Sequence, residues 1–76
     1  MTMARWQEIL KENGVLFTCI SKHQVITLEG CDGLRKIITR IPGCCYQVEL
    51  VENFGTPERN TIRETQFDSV YQMLGI

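Results

Sequence analysis

Helical spacing of apolar residues marks the start of the chain, and a two-residue alternation marks its middle. The apolar residues of the first segment recur at intervals of three and four: Met3, Trp6, Ile9 and Leu10. This spacing predicts an amphipathic helix over residues 3–12. Thr2 is a suitable N-cap, and Gly14 is a natural stop because glycine tolerates a positive φ.

Four segments in the middle alternate with a period of two and are rich in β-branched and aromatic residues, which favours strands over helices. The predicted strands are residues 15–22, 24–29, 34–41 and 45–51. Pro42-Gly43 is the residue pair favoured at the centre of a type II turn. Because each connection is too short for a parallel crossover, the strands should form an antiparallel meander.

The last third is polar and then resumes helical spacing. A loop is expected over residues 53–64, in which residues 61–64 suit either a short edge strand or irregular structure. Phe67, Val70 and Leu74 share one helical face, which predicts a closing helix over residues 66–74. The fold class is therefore α+β: one domain over residues 1–76, ordered α-β-β-β-β-α, with both helices packed on one face of an antiparallel sheet.

Composition and charge exclude several classes of protein. The chain has 76 residues, a net charge of −1 and 43% hydrophobic residues. It lacks the strong positive charge of a non-specific nucleic-acid binder and the strong negative charge of a DNA mimic. Charged residues interrupt the N-terminal segment, and the longest apolar run is too short for a membrane span, so no signal peptide or membrane contact is expected. We expect a cytoplasmic protein whose cysteines are reduced.

The rare reactive residues do not form a catalytic or metal-binding signature. His23, the only histidine, falls in a predicted turn, where it is expected to be solvated rather than catalytic. A zinc site built from His23, Cys31 and either Cys44 or Cys45 lacks the usual short ligand spacing. Cys19, in an apolar strand, is expected to be a small buried hydrophobe. The sequence thus predicts no enzyme activity, no cofactor and no metal.

Several strands are apolar on both faces, although two short helices can cover only one face of a sheet. The apolar candidates for the uncovered second face are Leu16, Ile20, Ile26, Leu28, Ile37 and Ile41. Either a partner or a second copy of the chain covers this face, or the sheet coils so strongly that both faces join one core.

These patterns favour a non-enzymatic, protein-binding regulator or inhibitor that occupies a surface of a larger protein, a type common among phage-encoded inhibitors. A homodimer through the second sheet face is the related possibility. The residues expected to bind the partner are Lys22, Arg35, Lys36, Ile37, Arg40 and Glu49. The alternative is a small nucleic-acid-binding regulator that uses the basic middle third of the chain.

Overall fold

The computed structural model describes residues 2–28 and 33–75. Five strands lie between two helices in chain order. The elements are α1 Met3–Glu12, β1 Phe17–Ser21, β2 Gln24–Thr27, β3 Arg35–Ile41, β4 Cys45–Glu52, β5 Asn60–Phe67 and α2 Val70–Leu74. The predicted α+β class and its antiparallel sheet are confirmed, with one more strand than the sequence suggested. Residue 29, the last residue of the predicted strand 24–29, lies outside the described residues.

Helix α1 begins and ends at the predicted residues, and its caps explain why. The hydroxyl Oγ1 of Thr2 accepts a hydrogen bond from the backbone N–H of Arg5 at 3.2 Å. This bond satisfies one of the N-terminal donors that the helix leaves without an internal partner. At the other end, Gly14 has φ of +74°, and the backbone N–H of Val15 donates to the carbonyl of Leu10 at 2.9 Å. The chain then leaves the helix and enters β1.

The five strands form one sheet in the order β1-β2-β3-β4-β5, and every neighbouring pair is antiparallel. The meander follows from the short connections. The predicted Pro42-Gly43 turn is confirmed: Gly43 has φ of +76°, and the backbone N–H of Cys44 donates to the carbonyl of Ile41 at 3.1 Å. This turn joins β3 to β4 at the centre of the sheet.

Strand β5 corrects the prediction for the last third of the chain. Residues 60–64 were placed in a loop, with a short edge strand over residues 61–64 left open, and residues 66–69 were placed in a helix. The structure has a strand over Asn60–Phe67, and α2 starts only at Val70. Both faces of β5 are mainly polar, so the strand lacks the apolar alternation that identifies strands in a sequence. Backbone pairing with β4 decides its conformation, and Phe67 lies opposite Tyr46.

Both helices pack on the same face of the sheet, here called the helix face, which carries Val25, Ile38 and Val48. The buried residues of this core are Met3, Trp6, Ile9, Leu10, Val25, Ile38, Tyr46, Val48 and Val70. The rings of Trp6 and Tyr46 lie 4.4 Å apart between centroids. Within the described parts of the chain, the buried indole N–H of Trp6 has no acceptor. Trp6 therefore stabilises the core through its area and not through a hydrogen bond.

The opposite sheet face, here called the second face, has a small core of its own. Ile26 and Ile37 lie opposite each other across β2 and β3, and they form a buried cluster with Val51. Part of the predicted surplus of apolar residues is thus covered within the chain. The remainder of that surplus lies along β1.

Candidate protein-binding edge

Strand β1 is an edge strand whose outer side no other strand of the sheet covers. None of its residues, Phe17–Ser21, is charged, and all except Phe17 are exposed. The opposite edge, β5, carries Arg63 and Glu64 near its middle. Charged residues on an edge strand discourage pairing with other chains, so β5 is protected in a way that β1 is not.

The backbone groups on the outer side of β1 can be assigned from the register. The backbone N–H of Leu28 donates to the carbonyl of Leu16 at 2.8 Å. Because hydrogen-bonded and non-hydrogen-bonded pairs alternate in an antiparallel ladder, the next bonded pair is Thr18 with Ile26. The N–H and C=O groups of the residues between, Phe17 and Cys19, therefore point outward. They are available to another extended chain.

Exposed apolar side chains flank this edge. Leu16 is 70% exposed, Ile20 is 52% exposed and Leu28 is 47% exposed. Leu28 lies two residues after Ile26, so the alternation of a strand directs its side chain to the second face, and its bonded partner Leu16 shares that face. Ile20 has no partner in the β1–β2 register and marks an irregularity in the edge. We name the edge of Phe17–Ser21 together with these three residues the β1 surface.

The predicted second face is divided between covered and exposed residues. Ile26 and Ile37 are buried, and Ile41 is half-buried. Leu16, Ile20 and Leu28 are the members that remain exposed. The second face therefore has a small core separate from that of the helix face, with exposed apolar residues beside it.

The structure brings only part of the set of six residues expected to bind a partner onto one face. Arg35 and Glu49 lie on the second face together with Ile37, which is only 4% exposed. Lys36 and Arg40 alternate with them along β3 and so lie on the helix face. Lys22 is exposed in the β1–β2 turn and is the one member of the set beside the β1 surface. The basic residues of β3 occupy both sheet faces and so do not form one continuous basic surface. Nucleic-acid binding stays a prediction.

The cysteines occupy contrasting environments, and one prediction about them was wrong. Cys19 is exposed, not buried, because it lies on the uncovered edge of the sheet. Cys44 is exposed and Cys45 is buried, while Cys31 lies outside the described residues. The side chain of His23 is exposed in its turn, as expected. Across residues 2–28 and 33–75, no three histidine, cysteine or acidic side chains are grouped so that they could hold a metal ion.

Two side chains near the β3–β4 turn have shifted proton affinities. A hydrogen bond with Cys44, and then burial, raise the pKa of the Cys45 thiol to about 11. Burial also raises the pKa of Tyr46, against a smaller opposing effect of the Arg40 charge. Both shifts leave these groups protonated and neutral at pH 7.

A small cleft lies on the helix face between the sheet and α2. It has a volume of about 90 Å³, and Lys36, Leu50, Arg63, Phe67 and Met73 contribute to its lining. Lys36, Leu50 and Arg63 follow one another in a cross-strand row. The cleft is far smaller than the ~300–1,000 Å³ of typical ligand sites, and its lining contains neither histidine nor cysteine. The β1 surface is therefore the stronger candidate for a functional site.

The sequence contained a signal for the β1 surface that hydrophobic patterning alone does not weigh. Phe17–Ser21 is an uncharged strand preceded by Leu16, but alternation cannot show whether a strand is central or at an edge. Comparison of the chain with protein-family models, with curated proteins and with solved structures gives no match in any of the three. Neither helix of the described chain is long and apolar enough to cross a membrane.

Proposed function

We propose that this protein is a non-enzymatic regulator or inhibitor that binds a larger protein by pairing the outer edge of β1 with an extended segment of that protein. The observation that carries this proposal is the uncharged edge of Phe17–Ser21, with outward backbone groups at Phe17 and Cys19. Addition of a strand to an open sheet edge is a common mode of peptide recognition, in which backbone hydrogen bonds provide much of the affinity.

The side chains around the edge indicate what the partner segment contains. Leu16, Ile20 and Leu28 offer apolar area beside the backbone donors and acceptors. Burial of one such side chain contributes about 1.5–3 kcal/mol, before the entropy of association is subtracted. Lys22 is exposed at the adjoining turn, where it would attract an acidic residue of the partner and raise the association rate. The partner segment is therefore apolar and extended, with negative charge at one end.

A larger protein fits the β1 surface better than a second copy of the chain does. Two copies paired through β1 would form one continuous sheet, and their exposed leucines would lie side by side on one face, still in contact with water. The five residues of β1 are also a short interface, whereas specific interfaces bury about 1,200–2,000 Å² in total. A larger partner can cover the edge and the adjoining face at the same time.

The free thiols favour a reducing compartment for this interaction. Cys19 lies on the binding edge and is a free cysteine. In an oxidising compartment an exposed thiol is prone to form mixed disulfides, which would block strand pairing. We therefore place the binding in the cytoplasm.

The experiment uses two isoleucines that match in exposure but lie on opposite edges of the sheet. Ile20 is 52% exposed in β1, and Ile62 is 51% exposed in β5. Neither has a partner in its strand register. A photo-crosslinking amino acid replaces Ile20 in one variant and Ile62 in the other, and both are expressed in the producing cell. We expect a conjugate with one larger protein from position 20 and none from position 62.

Binding to the conjugated protein, once purified, then tests the contact quantitatively. Ile20→Lys should weaken the affinity by about 10- to 100-fold, since it removes about 1.5–3 kcal/mol of apolar burial. Ile62→Lys should leave the affinity unchanged in the same calorimetric titration. The proposal fails if position 62 and not position 20 gives the conjugate, if position 20 links only to a second copy, or if neither position reacts.

A further inference from the structure

The turn between β3 and β4 brings two thiols together. The Sγ atoms of Cys44 and Cys45 lie 2.9 Å apart, and both residues are free cysteines. Adjacent residues within a strand point to opposite faces, so this contact depends on the turn conformation of Cys44. Gly43, with φ of +76°, and the hydrogen bond from the N–H of Cys44 to the carbonyl of Ile41 hold that conformation.

The two thiols differ in exposure and share a recess. Cys44 is exposed, whereas Cys45 is only 9% exposed at the start of β4. The recess beside them has a volume of about 210 Å³, and Arg40, Tyr46 and Asp68 contribute to its lining. The exposed thiol of Cys44 can therefore react first with a reagent from solution. The thiol of Cys45 is then close enough to react with the same bound reagent.

We propose that Cys44 and Cys45 form a dithiol site for trivalent arsenic compounds. Thiolates are soft ligands and select soft, polarizable centres. An arsenic(III) atom bonded to both sulfurs spans the pair without a direct sulfur–sulfur bond. Zinc fits less well, because structural zinc uses four protein ligands, and the described residues offer no group of three or more suitable donors.

The reaction exchanges ligands on arsenic and leaves its oxidation state unchanged. A monosubstituted arsenic(III) compound carries two hydroxyl groups in water. The sulfur of Cys44 displaces the first hydroxyl, which leaves as water with the thiol proton. The sulfur of Cys45 displaces the second hydroxyl in the same way. Two sulfur–arsenic bonds form, two oxygen–arsenic bonds break, and no oxidant or reductant is needed.

The ring closure explains why the pair should outcompete single thiols. After the first sulfur–arsenic bond forms, the second thiol reacts within the same molecule, so its effective concentration exceeds that of a free monothiol. A simple monothiol in excess should therefore fail to remove the arsenic, whereas a small dithiol should remove it. The site is independent of the β1 surface, since none of its residues belongs to β1.

The experiment uses the full, reduced chain and phenylarsine oxide as the probe. Intact mass spectrometry in the presence of excess 2-mercaptoethanol should show one phenylarsenic group on each chain, with the loss of two titratable thiols. 2,3-Dimercaptopropanol should release it. Cys44→Ser should reduce the retained label by at least about 10-fold, because a single sulfur–arsenic bond exchanges with the monothiol.

Cys19→Ser is the matched control, since Cys19 is also free and exposed. This variant should keep the full label. Cys45→Ser tests the buried thiol, and circular dichroism checks that this variant folds. If Cys45→Ser does not fold, Cys44→Ser still decides the question, because Cys44 lies on the surface. Retention of the label in Cys44→Ser, or its loss in Cys19→Ser or Cys31→Ser, would overturn the assignment.

Discussion

Thr27 shows how one side chain can replace a backbone partner at the end of a ladder. Its side chain is fully buried, and its hydroxyl Oγ1 accepts a hydrogen bond from the backbone N–H of Lys36 at 3.0 Å. The β2–β3 register ends one residue earlier, at Ile26 with Ile37. The hydroxyl therefore continues the hydrogen bonding between the two strands beyond the ladder.

Thr27→Val should lower the free energy of unfolding by about 0.5–1.5 kcal/mol, because it removes the hydroxyl that accepts the hydrogen bond from the Lys36 N–H while keeping the side-chain volume. Urea unfolding followed by the fluorescence of Trp6, the single tryptophan, measures this loss. Hydrogen exchange of the Lys36 amide should accelerate in the same variant. In Thr27→Ser the hydroxyl remains, so the amide should stay protected. Equal exchange in the two variants would argue against this role of the hydroxyl.

Single residues also show where sequence patterns stop being informative. The prediction that Trp6 lies on the apolar face of α1 was confirmed, because a large aromatic side chain in an apolar helical stripe is usually buried in the core. The prediction for Cys19 was wrong, because its burial depends on whether β1 has a neighbour on each side. That neighbour is a property of the sheet and not of the residue.

At the scale of the element, the open edge of β1 predicts different hydrogen-exchange rates for neighbouring amides. The amides of Phe17 and Cys19 point to the open side of the sheet, whereas the amide of Thr18 is bonded to β2. Hydrogen exchange followed by NMR should therefore be about tenfold or more faster at Phe17 and Cys19 than at Thr18, since exposed amides need no opening step. Slower exchange at Cys19 than at Thr18 would show that another chain already covers the edge.

The elements differ in how much of them the sequence predicted. Helix α1 was correct at both ends, because its apolar stripe and its caps are local features. Strands β2, β3 and β4 were placed to within a few residues, because their apolar alternation is strong. For β5 the sequence offered only a short edge strand over residues 61–64 as an alternative to a loop, because an edge strand with polar side chains on both faces depends on backbone bonds to β4. Because residues 66–67 belong to β5, the closing helix is shorter than predicted and spans Val70–Leu74.

The molecule as a whole should lose stability in alkali. The pKa of Cys45 is raised from 9.0 to about 11 in the folded protein, first by its hydrogen bond with Cys44 and then by burial. The unfolded chain therefore loses this proton before the folded chain does. The contribution is fully present below pH 9 and is lost as the pH rises towards 11. Tyr46, whose pKa is raised by burial, adds a further loss above pH 10.

Thermal unfolding between pH 7 and pH 10 measures this effect. The Tm of the native chain should fall over the upper part of that range, and the Tm of Cys45→Ser should fall less steeply. The comparison uses the slope with pH and not the absolute Tm, because the serine changes packing at a buried position. Parallel slopes in the two proteins would show that Cys45 does not titrate with unfolding.

The amino-acid sequence by itself determined the class of the fold, the N-terminal helix and the antiparallel connections, because capping, spacing and short turns act over a few residues. The tertiary structure alone decided which strands lie at the edges, which of the two apolar faces is covered and which thiols meet. Those outcomes depend on contacts between residues far apart in the chain. The open edge of β1 and the Cys44–Cys45 pair both belong to this second group, and both proposed binding sites rest on them.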